Sequence, residues 1–188
     1  RQMCIRDSSS GRFAFSNYYG EGSRWERQVV LTREGFFVVL DRYKGGEVLG
    51  EEYSAGPVWH VGFDEPIKEG SQTESWFDFP PLDNAWWKKK KSRALLIAHP
   101  HPKAKYGRVK QRNSQDTSPN VTVYSYRPIS AANDEYFLNV FIPYDLPVDT
   151  TSIVKKTKTH LDSKGRAEVA LGHADIKILI DKSWSVSR

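Results

Sequence analysis

Two neighbouring runs that are dense in aromatic and β-branched residues constrain the fold of this chain more than any other stretch. The first run covers residues 25–31 and the second covers residues 36–42, and a four-residue connection ending in Gly35 joins them. Aromatic and β-branched side chains favour strands, and a short glycine-containing connection between two such runs is typical of a β-hairpin. The sequence therefore predicts an antiparallel hairpin here.

The rest of the chain continues this pattern. Short apolar runs recur between turn signals, and apolar residues at helical spacing never persist for three turns. One strand is expected over residues 152–161, and another over residues 174–180, where Ile176, Ile178 and Ile180 form one buried face. We predict an all-β fold, an antiparallel β-sandwich of roughly ten to twelve strands of the jelly-roll or supersandwich kind.

Length and charge limit the partners that the chain can have. A chain of 188 residues fits one domain, and no apolar run is long enough to span a membrane as a helix. The formal charge of +5 favours anionic partners such as acidic polysaccharide or nucleic acid. Nucleic acid is the less favoured of the two, because no recognition fingerprint for RNA or DNA is present. The single cysteine excludes an internal disulfide.

The N-terminus does not match the rest of the sequence. Residues 1–8 resemble a translated sequencing-adapter remnant, of the kind that recurs at the broken ends of environmental gene assemblies. We therefore expect residues 1–10 to be non-native or disordered and residues 11–188 to form a single β-sandwich domain. On this interpretation the chain is a fragment, and the lack of a signal peptide carries no information.

A run of cations beside two indoles is the strongest charge feature. It consists of Trp86, Trp87, Lys88, Lys89, Lys90 and Lys91. The lysines suit uronates, sulfates or phosphates, while the indoles suit stacking on sugar rings or bases. The alternative is a solvated loop whose lysines keep an aromatic edge soluble. Both interpretations stay open.

Three histidines are candidates for binding or metal ligation. Trp59 and His60 are adjacent in an aromatic run, where an indole could stack on a sugar while the imidazole hydrogen-bonds to it. The alternative for His60 is a half-buried core histidine with one partner. His99 and His101, at a strand end, would point to one side and face a polyanion or a metal. Because the sequence places no third ligand, no metal site is predicted.

Carboxylates supply no catalytic motif. Glu26 and Asp41 could pair with Arg42 or Arg27 across the hairpin, since cross-strand ion pairs are the default explanation for such placement. The motifs of serine hydrolases, zinc proteases and phosphate-binding loops are absent. The sequence therefore identifies no catalytic residue.

The order of residues in the hairpin resembles one family. A W-x-R-x-V strand from Trp25, a glycine-containing turn, and a hydrophobic strand closing on Asp41 and Arg42 look like the C-terminal β-sandwich of the heparinase II/III-like polysaccharide lyases. Residues 136–143, which follow a polar loop, are similar to a late strand of the same sandwich. The resemblance extends from about Phe13 to the C-terminus.

The resemblance implies a partner domain and an activity. Such lyases have an α/α toroid followed by a β-sandwich, and they cleave uronate-containing polysaccharides by β-elimination with residues that lie mostly in the toroid. It implies that this chain lacks the N-terminal toroid, has no catalytic residue and no cofactor, and binds acidic polysaccharide. A bacterial periplasmic or secreted location is implied as well.

Two further points follow from the resemblance. A structural divalent metal, where the full-length lyases have one, draws on histidines and an aspartate in the first strands of the sandwich. The H-x-H-x-D pattern of that segment is absent upstream of Trp25. The alternative to a lyase portion is a non-catalytic carbohydrate-binding module, in which Trp76, Trp86 and Trp87 would form a flat, exposed platform.

Overall fold

The structure is a computed structural model. It describes residues 8–16, 21–46, 53–61, 68–70, 76–79, 92–101, 103–112, 119–129, 133–145, 147–172, 174–181, 183 and 185–187. The predicted binding residues Trp86, Trp87, Lys88, Lys89, Lys90 and Lys91 lie outside these ranges.

The described residues form fifteen strands and one short helix. The strands are β1 (Ser8–Ser16), β2 (Arg24–Thr32), β3 (Phe37–Lys44), β4 (Tyr53–Ala55), β5 (Val58–Val61), β6 (Lys68–Glu69), β7 (Trp76–Phe79), β8 (Ser92–Ala98), β9 (Lys105–Arg112), β10 (Pro119–Ile129), β11 (Asp134–Asp145), β12 (Thr157–Leu161), β13 (Ala167–Leu171), β14 (Ile176–Ile180) and β15 (Val186–Ser187). Every pairing is antiparallel. The all-β, antiparallel prediction is therefore confirmed.

Three sheets stack in layers. A seven-stranded sheet has the order β1-β2-β3-β11-β8-β7-β6, the second sheet joins β4, β10, β5 and β9, and the third has the order β12-β13-β14-β15. Leu138 packs with Val169 and Ile178 of the third sheet, whereas its neighbour Phe137 packs with Ile129 of the second. Because successive strand residues point to opposite faces, the seven-stranded sheet is the central layer.

The predicted hairpin is confirmed. β2 and β3 pair in register from Arg24 opposite Lys44 to Leu31 opposite Phe37. Gly35 closes the turn with a φ of +86°, a left-handed conformation that glycine adopts without strain. Its N–H donates to the Thr32 carbonyl at 3.0 Å.

The single strand predicted over residues 152–161 is wrong in its first half. The helix α1 (Thr150–Lys156) precedes β12, and the Asp149 side chain caps it by accepting from the Thr151 N–H at 3.1 Å. Ile153 is buried against the third sheet, so the helix is stabilised by packing rather than by length. Within the described residues, no helix is long and apolar enough to cross a membrane.

The N-terminal strand begins inside the segment that we expect to be foreign or disordered. Ser8 lies opposite Thr32, and β1 forms the edge of the central sheet. Residues 1–7 lie outside the described ranges. The domain boundary after residue 10 therefore stays a prediction.

Candidate functional site

A cleft of about 720 Å³ opens where the ends of three strands meet a turn, and we call it the end cleft. It is lined by His99, His101, Arg127, Asn133, Asp134, Glu135, Tyr136, Leu161, Asp162, Ser163 and Lys164. These residues come from the ends of β8 and β10, the start of β11, and the turn between β12 and β13. Because β8 runs antiparallel to β11, His99 meets the start of β11, and its N–H donates to the Leu138 carbonyl at 2.8 Å.

His99 and His101 both line the end cleft. The Tyr106 hydroxyl holds their backbone by donating to the His99 carbonyl at 3.0 Å and accepting from the His101 N–H at 3.1 Å. His99 Nδ1 lies 2.9 Å from Thr159 Oγ1. In the described part of the chain, no three His, Cys, Asp or Glu side chains converge as metal ligands.

Burial keeps both imidazoles uncharged near neutral pH. It lowers the pKa of His99 to about 4, and the nearby His160, His101 and Arg127 act in the same direction. Burial also lowers the pKa of His101, again with a contribution from Arg127. A neutral imidazole offers one N–H donor and one nitrogen acceptor. The pair therefore suits hydrogen bonds to hydroxyl groups better than attraction of an anion.

The carboxylates of the end cleft already have partners. Asp134 Oδ2 lies 2.6 Å from Arg42 Nη2, and Glu135 Oε2 lies 2.8 Å from Arg127 Nε. Asp162 Oδ1 accepts from the backbone N–H groups of Lys164 and Arg166, both at 2.9 Å. Among the described residues that line the cleft, Lys164 has an exposed side chain, and its ammonium group is available to a ligand.

Tyr136 and Gly165 set the shape of this region. Gly165 has a φ of +80°, and a Cβ atom there would lie 2.7 Å from Tyr136 Cζ. The β12–β13 turn can therefore approach the tyrosine ring only with glycine at this position. Burial raises the pKa of the Tyr136 hydroxyl, so this group stays protonated at neutral pH.

The structure separates Trp59 and His60. The Trp59 indole lies edge-on against Phe141, with ring centroids 4.8 Å apart, and the Arg27 guanidinium covers it at 4.3 Å. The His60 side chain is exposed, with Nδ1 2.9 Å from Thr122 Oγ1. Adjacent strand residues point to opposite faces, so these two side chains do not form one surface for a sugar.

The described residues that flank the lysine run in the sequence lie at the opposite end of β8 from the end cleft. It falls between Phe79, where β7 ends, and Ser92, where β8 begins, whereas His99 follows the last residue of β8. Seven residues of strand span about 20 Å. Trp76 is half-buried and packs against the main core, so it does not contribute to an exposed platform. The proposed binding role of residues 86–91 stays a prediction.

Several residues of the end cleft carry no signal in the sequence. Glu135 and Tyr136 come near the histidines because β11 pairs with β8, and Arg127 reaches them from β10 in the second sheet, where its guanidinium donates to the Tyr136 carbonyl. The turn at Asp162 to Gly165 could have been found, because aspartate followed by glycine three residues later is a turn pattern.

No family model and no curated protein matches the sequence. Among solved structures, the chain is similar to the heparan sulfate lyase HepC from Pedobacter heparinus, with a TM-score of 0.63 and 11% identity over 93% of this chain and 26% of that chain. A heparinase III gene product gives a TM-score of 0.60 and 13% identity over 90% of this chain and 27% of that chain. Another heparinase III structure gives a TM-score of 0.58 and 12% identity over 90% of this chain and 25% of that chain.

The likeness establishes the fold. The chain spans about one quarter of the length of the solved structures that it matches. It therefore shares its all-β fold with a part of heparinase III and heparan sulfate lyase structures, as the residues of the hairpin predict.

Proposed function

We propose that this chain is the C-terminal β-sandwich portion of a polysaccharide lyase that cleaves uronate-containing acidic polysaccharide by β-elimination. The main support is the fold, which matches heparan sulfate lyase HepC over 93% of this chain but only 26% of that chain. Under this proposal an α/α toroid accompanies the chain in the complete protein, which is periplasmic or secreted.

The chemistry of β-elimination indicates what the chain contributes. The reaction needs a group that neutralises the uronate carboxylate, a base for the C5 proton, and an acid for the leaving oxygen. The described carboxylates of the end cleft are held by Arg42, Arg127 and backbone N–H groups. We therefore assign the chain a binding role, in which His99, His101 and Lys164 contact the polysaccharide, and no catalytic step.

A binding experiment tests this role directly. The purified chain is titrated with alginate, with heparin and with neutral dextran at low salt and at physiological salt. We expect binding to the acidic polymers, weaker at the higher salt because exposed charges are screened over about 8 Å there. Failure to bind either acidic polymer at low salt, or equal binding of dextran, would contradict the proposal.

One observation favours the alternative function, a non-catalytic carbohydrate-binding module. Tyr124 and Tyr126 lie on the face of the second sheet opposite to Val123, with ring centroids 5.8 Å apart. A Cβ atom at Gly107 would lie 2.5 Å from the Tyr124 hydroxyl, so the ring covers that glycine on the neighbouring strand. The two rings are tilted by 37° to each other, and each offers an aromatic face on which a sugar could stack.

The two functions predict different effects on sugar binding when both tyrosines are removed. For a module, Tyr124→Ala together with Tyr126→Ala should abolish binding of every bound sugar, charged or neutral. For the lyase portion, the same double variant should leave binding of acidic polymers nearly unchanged.

A further inference from the structure

Three arginines from neighbouring strands converge on one buried carboxylate beside the end cleft. Glu26 on β2 is fully buried. Arg12 on β1 and Arg24 on β2 both donate to its Oε1, the latter at 2.7 Å, and Arg42 on β3 donates to Oε2 at 3.0 Å. We call Arg12, Arg24 and Arg42 the arginine cluster.

The cluster gathers more cations than carboxylates. All three guanidinium groups share the Glu26 carboxylate, and Asp134 adds a contact to Arg42. The exposed Lys44 lies opposite Arg24 in the strand register and adds a further positive charge. An ordinary structural ion pair matches one cation to one anion, whereas this arrangement concentrates cations on a single carboxylate.

The positive charge faces water. The Glu26 side chain is 0% exposed, while those of Arg12 and Arg24 are 46% and 50% exposed. A guanidinium has five N–H donors in a fixed plane, so the bond from Arg24 to Glu26 leaves other donors on the exposed side of the group. The buried carboxylate thus orients the outer guanidinium groups before any ligand arrives.

The cluster adjoins the end cleft. Arg42 links the two, because its second nitrogen contacts Asp134, which lines the cleft. The strands β1, β2, β3 and β11 are successive neighbours in the central sheet, and neighbouring strands are about 4.8 Å apart. One extended polymer could therefore contact both surfaces.

We infer that the arginine cluster binds an oxyanion of an acidic sugar, a carboxylate or a sulfate, while a neighbouring sugar of the same polymer lies in the end cleft. Oriented guanidinium groups bind such planar or tetrahedral oxyanions through paired, charge-assisted hydrogen bonds. Glu26 acts as a positioning residue. This inference rests on the proposed function, because it names where the acidic polysaccharide is recognised.

The test compares arginine variants that change net charge equally. Arg24→Gln alters the cluster, and Arg33→Gln, on the exposed turn about 30 Å away along β2, is the control that removes the same charge. At low salt we expect Arg24→Gln to weaken binding of alginate or heparin about tenfold. Arg33→Gln should change it less than about twofold.

Glu26→Gln separates an oriented site from general attraction. This variant raises the net charge by one, so general attraction predicts tighter binding, whereas loss of orientation predicts weaker binding by about tenfold. Thermal melting first verifies that the variant is folded. If Glu26→Gln is not folded, the comparison of Arg24→Gln with Arg33→Gln is the test of the arginine cluster as the binding site.

The polymers distinguish the two sources of the oxyanion. Alginate carries carboxylates only and dextran sulfate carries sulfates only, so the polymer whose affinity falls in Arg24→Gln identifies the group. Equal losses in Arg24→Gln and Arg33→Gln, with binding otherwise intact, would overturn the cluster as the site and leave the proposed function standing. Absence of binding to every acidic polymer would overturn both.

Discussion

Arg27 on β2 and Asp41 on β3 lie directly opposite each other and form an ion pair in which the carboxylate is fully buried and the guanidinium is half-buried. Arg27 Nε lies 2.7 Å from Asp41 Oδ1, and Arg27 Nη2 lies 3.0 Å from Oδ2. The Trp25 indole N–H donates to the same carboxylate at 2.9 Å. The hairpin residues that resemble the lyase sandwich therefore build one polar cluster between two sheets, and the predicted cross-strand pairing of Arg27 with Asp41 and of Arg42 with Glu26 is confirmed.

Asp41→Asn should destabilise the protein strongly. Asp41 is fully buried, so the variant leaves the Arg27 charge without its partner, and breaking such a pair costs about 3–5 kcal/mol. Urea denaturation measures the loss. The matched control is Glu168→Gln, which breaks the exposed pair with Lys177 and should cost less than about 1 kcal/mol. Equal small losses in both variants would contradict a stabilising role for the Arg27 pair.

Gly165→Ala tests the contact that shapes the end cleft. Both the positive φ and the approach of Tyr136 oppose a methyl group there, so we expect a loss of about 3 kcal/mol in unfolding free energy. Gly22→Ala is the control, because Gly22 has a φ of +77° and no atom of the described residues lies within 4 Å of the place that its new methyl group would take. It should cost about 1 kcal/mol. If the two losses are equal, Tyr136 does not pack tightly on the turn.

The stability of the fold should fall with acid because of His99. Its pKa is about 4 in the folded state, against 6.5 ordinarily, so below pH 6.5 the unfolded chain binds more protons than the folded one. The free energy of unfolding therefore does not depend on His99 titration above pH 6.5, and it decreases as the pH falls from 6.5 to about 4.

Replacement of this histidine should flatten that pH dependence. His99→Gln is compared with His60→Gln, since both rings bond a threonine hydroxyl through Nδ1 at 2.9 Å but His60 is exposed. Thermal melts between pH 7 and pH 4.5 should show a smaller decline for His99→Gln than for the parent and for His60→Gln. Identical declines in all three proteins would rule out the titration of His99 as the cause.

The lysine run offers a separate prediction. Replacing Lys88, Lys89, Lys90 and Lys91 with serine should weaken binding of alginate or heparin at low salt and flatten its salt dependence, since fewer exposed charges attract the polymer. Titrations at two salt concentrations measure this, and a thermal melt verifies the fold. Unchanged affinity for both polymers would indicate that the lysine run serves solubility and not binding.

Local sequence patterns predict more of the fold than of the candidate site. The hairpin and the alternating β14 are determined by neighbours along the sequence, so periodicity and turn chemistry suffice to predict them. The sequence pattern does not predict helix α1, because this helix is one short segment stabilised by Ile153 in the core. Strands of two or three residues, such as β6, are too short to leave a pattern.

The end cleft and the arginine cluster depend on strand order instead. The spacing of His99 and His101 brings them together in the sequence, but Tyr136 joins them through the pairing of β11 with β8, and Arg127 through its contact with β11 from another sheet. Arg12 meets Glu26 because β1 pairs with β2 in one particular register. Sequence spacing alone also placed Trp59 with His60, whereas the alternation of β5 separates them.

We propose that this chain is part of a lyase for acidic polysaccharide whose catalytic groups lie in another domain. The most direct measurement is the ultraviolet absorbance of unsaturated uronate during incubation with alginate or heparin, for the purified chain and for the complete product of the gene that encodes it. We expect the complete product to form unsaturated sugar and the chain alone to form none. Unsaturated product from the chain alone, or none from the complete protein on any uronate polymer, would contradict it.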